Sequence, residues 1–471
     1  MRRWCSKTSV GSAIVSVGFR RYIKVYGRLC RVLFFLVLLT RHSPCALAED
    51  LELPKGVGVL PDLSKGAKSG VLVASQQSHL YRMLLPTEVA SMLDRGELAF
   101  EAVGGLRYPW RFVVPERVSS AAPVPELSSS SSGMIHDPSG GKALVSPVFD
   151  LPRAISGDPL KLAYKVLWNA AGALWRYSSF ITSASLLIFR SEQSSPNELE
   201  FEVARVHPRK LGEHAGTLEP IFRERILFKN PAVIGNLAWL SFRFFGSGED
   251  FLWAASPVIN QIRQMTGSNR SDEIFSGIFS PDDLFGWSGK VELVEPSGIK
   301  LVPLLVPIIE ANQTKVEARH GCNIWQFNGD DRVTANQQSA RFKGAAAWVP
   351  TNVLMALRSV WRVDLTSRDP FTLDTRQVIY LDRETGLPVY RIVWDDAGRL
   401  TKVTIGIMRY LEREGLPPEP IIAGEIVAHA SGADRVLIRH DAFSVCTGYH
   451  PERSKDEFDP SSFVRFAKLG R

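Results

Sequence analysis

From Glu198 onward the chain alternates. Leu199, Phe201 and Val203 are interleaved with Glu200, Glu202 and Ala204, and Phe222, Glu224, Ile226 and Phe228 with Arg223, Arg225, Leu227 and Lys229. A period of two predicts strands with one face on a core and the other in water. Residues 237–245 (LAWLSFRFF) are apolar on both faces, as is much of 251–259, and a turn follows at Gly267-Ser268-Asn269. Further on, 360–365, 377–381, 389–394 and 402–410 read as four consecutive strands. Gly386 and Gly398 fall in their turns where positive φ is needed, and Asp395 is placed to bond its own turn backbone. Linkers this short make neighbouring strands antiparallel.

Earlier parts of the chain are mixed. A helix is expected over 87–95 and a turn at Gly104-Gly105, while 158–175 fits a helix or a strand equally well. Residues 119–145 are rich in Ser, Pro and Gly and read as a loop or linker. The pattern divides the chain into a leader (1–48), an N-terminal segment packed on the sheet (49–118), the Ser/Gly/Pro-rich loop (119–145) and a β domain (146–471). The fold class is mainly β (α+β): an antiparallel meander with a few helices.

Charge changes the picture only at the start. Of 56 Lys and Arg, nine lie in residues 1–48, which hold no Asp or Glu; the remaining 47 face 49 acidic residues, a net of −2. The body therefore lacks the clustered positive surface that phosphate backbones require, and nucleic acid is not an expected partner. Arg28 and Arg31 precede an apolar run over 32–39, followed by Ala46-Leu47-Ala48. This order is that of a cleaved export signal, with a mature chain starting near Glu49 in the periplasm. Eight apolar residues do not span a bilayer, which takes roughly 20. Three of the five cysteines lie in the leader; Cys322 and Cys446 remain, and an oxidising compartment permits a bridge between them, two buried thiols being the alternative.

Several patches resemble a known family. Val360-Trp361-Arg362-Val363, Asp369-Pro370, residues 376–385 (RQVIYLDRET), Tyr390 and residues 395–400 (DDAGRL) are similar to a bacterial family of unknown function related to outer-membrane lipoprotein-sorting proteins. Residues 282–290 (DDLFGWSGK) resemble its central aspartate-rich segment, Leu167-Trp168-Asn169 an earlier Trp-Asn pair, and Phe458-Asp459-Pro460 with Leu469-Gly470-Arg471 its C-terminal end. After Lys290 the family carries an Asp-Arg-Tyr-Asp-Trp-like stretch, where this chain has Val291-Glu292-Leu293-Val294-Glu295. The resemblance implies a curved antiparallel sheet forming an incomplete β-barrel closed by helices, as in the periplasmic lipoprotein carrier. It also implies association with the outer membrane or with export pumps of the resistance-nodulation-division type.

Sheltering acyl chains takes an apolar wall that stays open. Trp239, Phe242, Phe244, Trp253, Trp361, Tyr390 and Trp394 are the candidates for it, closed core packing being the alternative for each. Arg243 and Arg263 lie beside apolar runs and are candidates for an anionic head group. The adjacent Asp282 and Asp283 suit a cap or loop better than one shared cation. Catalytic signatures are missing: there is no Gly-x-Ser-x-Gly and no His-Glu-x-x-His, and Ser139-x-x-Lys142 sits in a Gly/Ser loop. His320-x-Cys322 offers at most two metal ligands where a closed zinc site needs four. His440-Asp441 is half of a triad without a nucleophile. The expectation is a binding or carrier protein for a lipid, a lipidated protein or another hydrophobic molecule, not an enzyme and needing no cofactor. An envelope interaction protein with a filled core, or a hydrolase with a dispersed site, are the alternatives.

Overall fold

The computed structural model describes residues between 53 and 463. The longer stretches outside it are 1–52, 107–127, 137–154, 212–219, 310–315, 336–349 and 464–471. The proposed leader, most of the Ser-rich loop and the Ser139-x-x-Lys142 pair lie outside the described residues. Within that loop, Ser128–Ser129 pairs with Ile135–His136.

Seventeen strands form one mixed sheet. In chain order they are β1 (Val71–Val73), β2 (Phe100–Val103), β3 (Ser179–Arg190), β4 (Asn197–Val206), β5 (Phe222–Asn230), β6 (Ala238–Arg243), β7 (Phe251–Ser256) and β8 (Gln261–Met265). There follow β9 (Val294–Ile309), β10 (Val316–Arg319), β11 (Cys322–Gln326), β12 (Val353–Ser367), β13 (Arg376–Asp382), β14 (Pro388–Trp394), β15 (Leu400–Arg413), β16 (Leu416–His429) and β17 (Asp434–Cys446). The four strands read over 360–410 are β12 to β15, and they pair antiparallel in succession. Gly386 (φ 71°) and Gly398 (φ 73°) take the positive φ expected of their turns. The Arg399 amide donates to the Asp395 carboxylate at 2.8 Å.

The meander continues through β16 and β17, and β17 then pairs with β3, far back in the chain, from which β4 to β8 follow in order. Long-range pairing of this kind is invisible to local patterning. On the other side β9 runs antiparallel to β12, and its end meets β15 in a parallel contact, Ile308 opposite Met408. Strands β9 and β12 to β15 thereby curl into a partial ring. Its interior is apolar: Leu305, Ile308, Met355, Tyr380, Tyr390, Ile405 and Met408 all belong to one buried cluster. Helix α1 (Thr87–Asp94) supplies Val89, Met92 and Leu93 to the same cluster.

Residues 158–175, undecided from periodicity, form helix α2 (Pro159–Trp175). Its start explains the outcome. The Asp158 carboxylate accepts the Leu160 amide at 3.0 Å, and Pro159 takes the first helical position, where a missing N–H costs nothing. Leu162, Ala163, Val166, Leu167 and Ala170 then fall on one buried stripe. No helix of the described residues is long and apolar enough to cross a membrane.

One expectation is corrected here. The central polar positions of β4 and β5 do not face water, although Glu200 and Lys229 at the strand ends do. Glu202 and Arg225 are buried and paired at 2.6 Å, and Glu457 from the C-terminal segment joins Arg225 at 2.7 Å. That segment also lays Phe458 and Phe463 over Ala204, Leu227 and Leu240. Both faces of this part of the sheet are therefore covered.

Candidate functional site

The segment Pro281–Gly286 crosses the sheet on the face opposite the ring interior. Leu284 and Phe285 pack with Trp239, Phe228 and Phe443. The Phe285 backbone is left-handed (φ 58°), a conformation that costs a side chain with a Cβ roughly 1–2 kcal/mol, and its ring stacks on His440 at 5.4 Å. His440 is itself enclosed, with Nδ1 at 2.9 Å from the Thr182 hydroxyl and Nε2 at 3.4 Å from Glu425. The ring of Phe285 lies across it, so this histidine has no open route to a substrate.

Two adjacent carboxylates pin the crossing segment. Asp283 accepts the Ser280 amide and hydroxyl, each at 2.8 Å, which caps the turn as expected. The same carboxylate also takes Arg391 at 2.6 Å and Lys402 at 2.9 Å, from β14 and β15. Asp282 points the other way and accepts Arg270 Nε at 2.9 Å. Arg270 continues to Glu224 at 3.2 Å and the Ser241 hydroxyl at 2.6 Å, and Glu224 also binds Arg205. The two neighbouring aspartates thus serve different cations on different halves of the sheet.

Beside this network opens a cleft of about 260 Å³. One wall is the hairpin between β6 and β7. There Arg243 donates to Asp250 at 2.7 Å and to the Ser288 and Gly289 carbonyls at 2.8 and 2.9 Å, and Lys290 reaches Asp250 at 3.0 Å. The opposite wall carries Arg391, bonded to Gln377 at 2.8 Å and to Asp374. Five basic and five acidic residues line the cleft, with Trp287 in its wall and Phe371 at its rim; the lining holds neither histidine nor cysteine.

Burial and charge compete at each carboxylate. At Asp283 burial pushes the pKa up, but Lys402 and Arg391 outweigh it and hold the carboxyl well below the usual range. Asp250 and Glu224 are lowered in the same way, against burial, by Arg243 with Lys290 and by Arg205 with Arg270. For Asp282 burial prevails over Arg270 and Arg243, and the pKa rises. Glu292, buried near Lys290 and accepting the Gly246 amide at 2.8 Å, is pushed up to about 7 by burial that these partners only partly offset.

The seven aromatic residues expected to form one wall do not come together. Trp239 packs edge-on to Phe228 at 5.8 Å on one face of β6, while Phe242 meets Trp253 at 5.0 Å on the other. Phe244 lies half-buried against Phe251 at 5.1 Å. Trp361 is closed in with Trp168 and Trp287, and Tyr390 lies inside the ring and donates to the Leu305 carbonyl. Trp394 stands at a strand end beneath the Arg376 guanidinium, 4.2 Å away. Successive residues on a strand point to opposite faces, which sends six of the set into four separate clusters and leaves Phe244 outside them.

Of the two candidate arginines, Arg243 lines the cleft, saturated by its partners, whereas Arg263 is exposed on β8 and does not. Cys322 and Cys446 face each other on β11 and β17 and form a disulfide. His450 lies near both sulfurs, which are committed to that bond. Arg270, Asp250, Lys290, Asp374 and Arg391 were missed from sequence. Arg391 carried a usable signal: a lone cation inside the apolar run of 388–394 has to be paired if buried.

No family model matches the chain, and no curated protein does. Among solved structures, a putative outer membrane lipoprotein-sorting protein domain from Vibrio parahaemolyticus is similar, with a TM-score of 0.42 and 13% identity over 65% of this chain and 98% of that one. A DUF1329 family protein from Desulfovibrio piger has a TM-score of 0.42 and 16% identity over 65% and 99%. For a LolA superfamily protein from Nitrosomonas europaea the figures are 0.35 and 12% over 64% and 98%. The chain is thus similar to a lipoprotein-sorting protein domain, a DUF1329 family protein and a LolA superfamily protein of known structure.

Proposed function

We propose that the protein is a carrier-like binding protein of the cell envelope that takes the polar head of an amphiphile into the charged cleft. The observation that carries this reading is the cleft's lining of five cations and five anions beside a deeply buried ionic network. Buried ion pairs seldom stabilise a fold better than apolar residues of the same size, and clusters of shifted carboxylates concentrate at functional sites. A balanced lining suits a zwitterionic or weakly anionic head group more than a strongly charged ligand. The apolar remainder of the molecule lies outward, past Phe371. In this reading the protein works in the periplasm after loss of residues 1–48, without catalysis, and receives a lipid or lipidated protein from an export pump of the resistance-nodulation-division type.

The test fills the cleft. Ser268 lines it from a surface turn, so Ser268→Trp narrows it without touching the buried ion pairs. Native mass spectrometry of gently purified protein, followed by titration with lysophosphatidylethanolamine, should show binding by the wild type and at least a tenfold loss in the variant at unchanged circular dichroism. A protein that is always empty and takes up no lysolipid overturns the carrier reading and leaves an interaction module with a filled core.

A further inference from the structure

The connection between β12 and β13, residues 368–375, presents two large apolar side chains to solvent. Phe371 is 75% exposed and Leu373 62%. The loop itself is firmly held. The Phe371 amide donates to the Asp369 carboxylate at 2.9 Å, the Arg368 amide to the Leu293 carbonyl at 2.8 Å, the Thr372 hydroxyl to Ser271 at 3.0 Å and the Thr375 hydroxyl to the Trp394 carbonyl at 3.1 Å. A loop held by four hydrogen bonds thus carries two large exposed apolar side chains, two residues apart, at its tip.

We propose that this loop docks on a lipid bilayer, inserting Phe371 and Leu373 at the level of the head groups. Size decides against a protein partner. A stable protein interface buries roughly 800 Å² on each side, which two side chains on a narrow tip do not supply. A bilayer asks for no complementary shape, only apolar groups at the tip and amphipathic groups behind them. Those stand at the same end of the sheet. Arg376 is exposed and stacks on Trp394, an indole and a guanidinium suited to the interfacial zone, and Arg399 projects from the neighbouring turn. Asp369 is tied into the loop's own backbone and Asp395 into Arg399, and Asp396 and Glu295 are acidic neighbours, so insertion of apolar groups and not net charge drives the contact. Because Phe371 is also on the rim of the cleft, docking brings the cleft mouth to the membrane surface. The inference stands on the loop alone and does not require the cleft to hold a ligand.

The experiment is co-sedimentation of the full chain with vesicles of phosphatidylethanolamine and phosphatidylglycerol. Its leader is common to all variants. Phe371→Ser with Leu373→Ser should weaken vesicle binding by at least about tenfold, the equivalent of losing the burial of one such side chain, and Phe371→Trp alone should retain it. Both positions are exposed, so circular dichroism should not change. Equal sedimentation of wild type and double variant overturns the proposal, as does a wild type that stays in the supernatant. A wild-type dimer in analytical ultracentrifugation that the double variant dissolves, without vesicle binding, overturns it in favour of a second copy.

Discussion

The two faces of strands β13 to β15 come from the same alternating sequence and hold together by opposite means. On the ring side stand Val378, Tyr380, Tyr390, Ile392, Val403, Ile405 and Ile407, an apolar cluster held by close packing, with the Tyr390 hydroxyl bonded to the Leu305 carbonyl. On the other side stand Gln377, Arg391, Lys402 and Thr404, equally buried, with Asp283 and Asp374 as counter-charges. The first face tolerates any apolar group of suitable volume. The second holds only while its charged members stay paired, because a lone buried charge is far costlier than a cavity of modest size. A buried polar stripe is thus a device for fixing one segment, here Pro281–Gly286, in one position on the sheet.

The largest expected effect tests that asymmetry. Asp283→Ala strands Arg391 and Lys402 and should lower unfolding stability in urea by about 3–5 kcal/mol. Its cost should depend on pH. The Asp283 carboxyl is lowered on folding, so its stabilisation is fully present above the unfolded value of 3.8 and is lost as pH falls through the folded one. The gap between wild type and variant should therefore be smaller at pH 2 than at pH 4; a constant gap would refute the ionic account. Ile405→Ala on the apolar face should cost about 2–5 kcal/mol from the transfer and cavity terms, equally at both pH values.

Glu292 has the reverse sign. Its pKa rises on folding from 4.5 to about 7, so the stability it contributes is complete below 4.5 and is lost as pH rises towards 7. Glu292→Gln keeps the acceptor for Gly246 and should gain up to about 3 kcal/mol at pH 8 with little change at pH 4, read from urea midpoints. The smallest effect lies on neither face. At Gly398 a Cβ meets nothing within 4 Å, so Gly398→Ala measures only the strain of φ 73°, about 1 kcal/mol at any pH.

Much of this was legible in the chain. The strands over 360–410, their glycine turns and the helix over 87–94 follow from local rules: period-two alternation, positive φ at glycine and a short apolar stripe. Less legible was the site, since its members come from β6, the turn at Gly267–Arg270, the crossing segment, β13 and β14. The seven aromatic residues failed as a wall for a simple reason. Their spacing shows that they sit on strands but not which layer covers which face.

By itself the sequence determined the class of fold, the four strands over 360–410 with their turns, and that its positive charge excess resides in residues 1–48. Those are local properties, set by backbone sterics and by the spacing of side chains along a strand. Only the tertiary structure decided that β17 pairs with β3, that the C-terminal segment and Pro281–Gly286 cover polar faces that alternation assigns to water, and that arginines and aspartates meet beside a cleft. Such choices depend on contacts hundreds of residues apart, whose free energy appears only once distant segments are packed together.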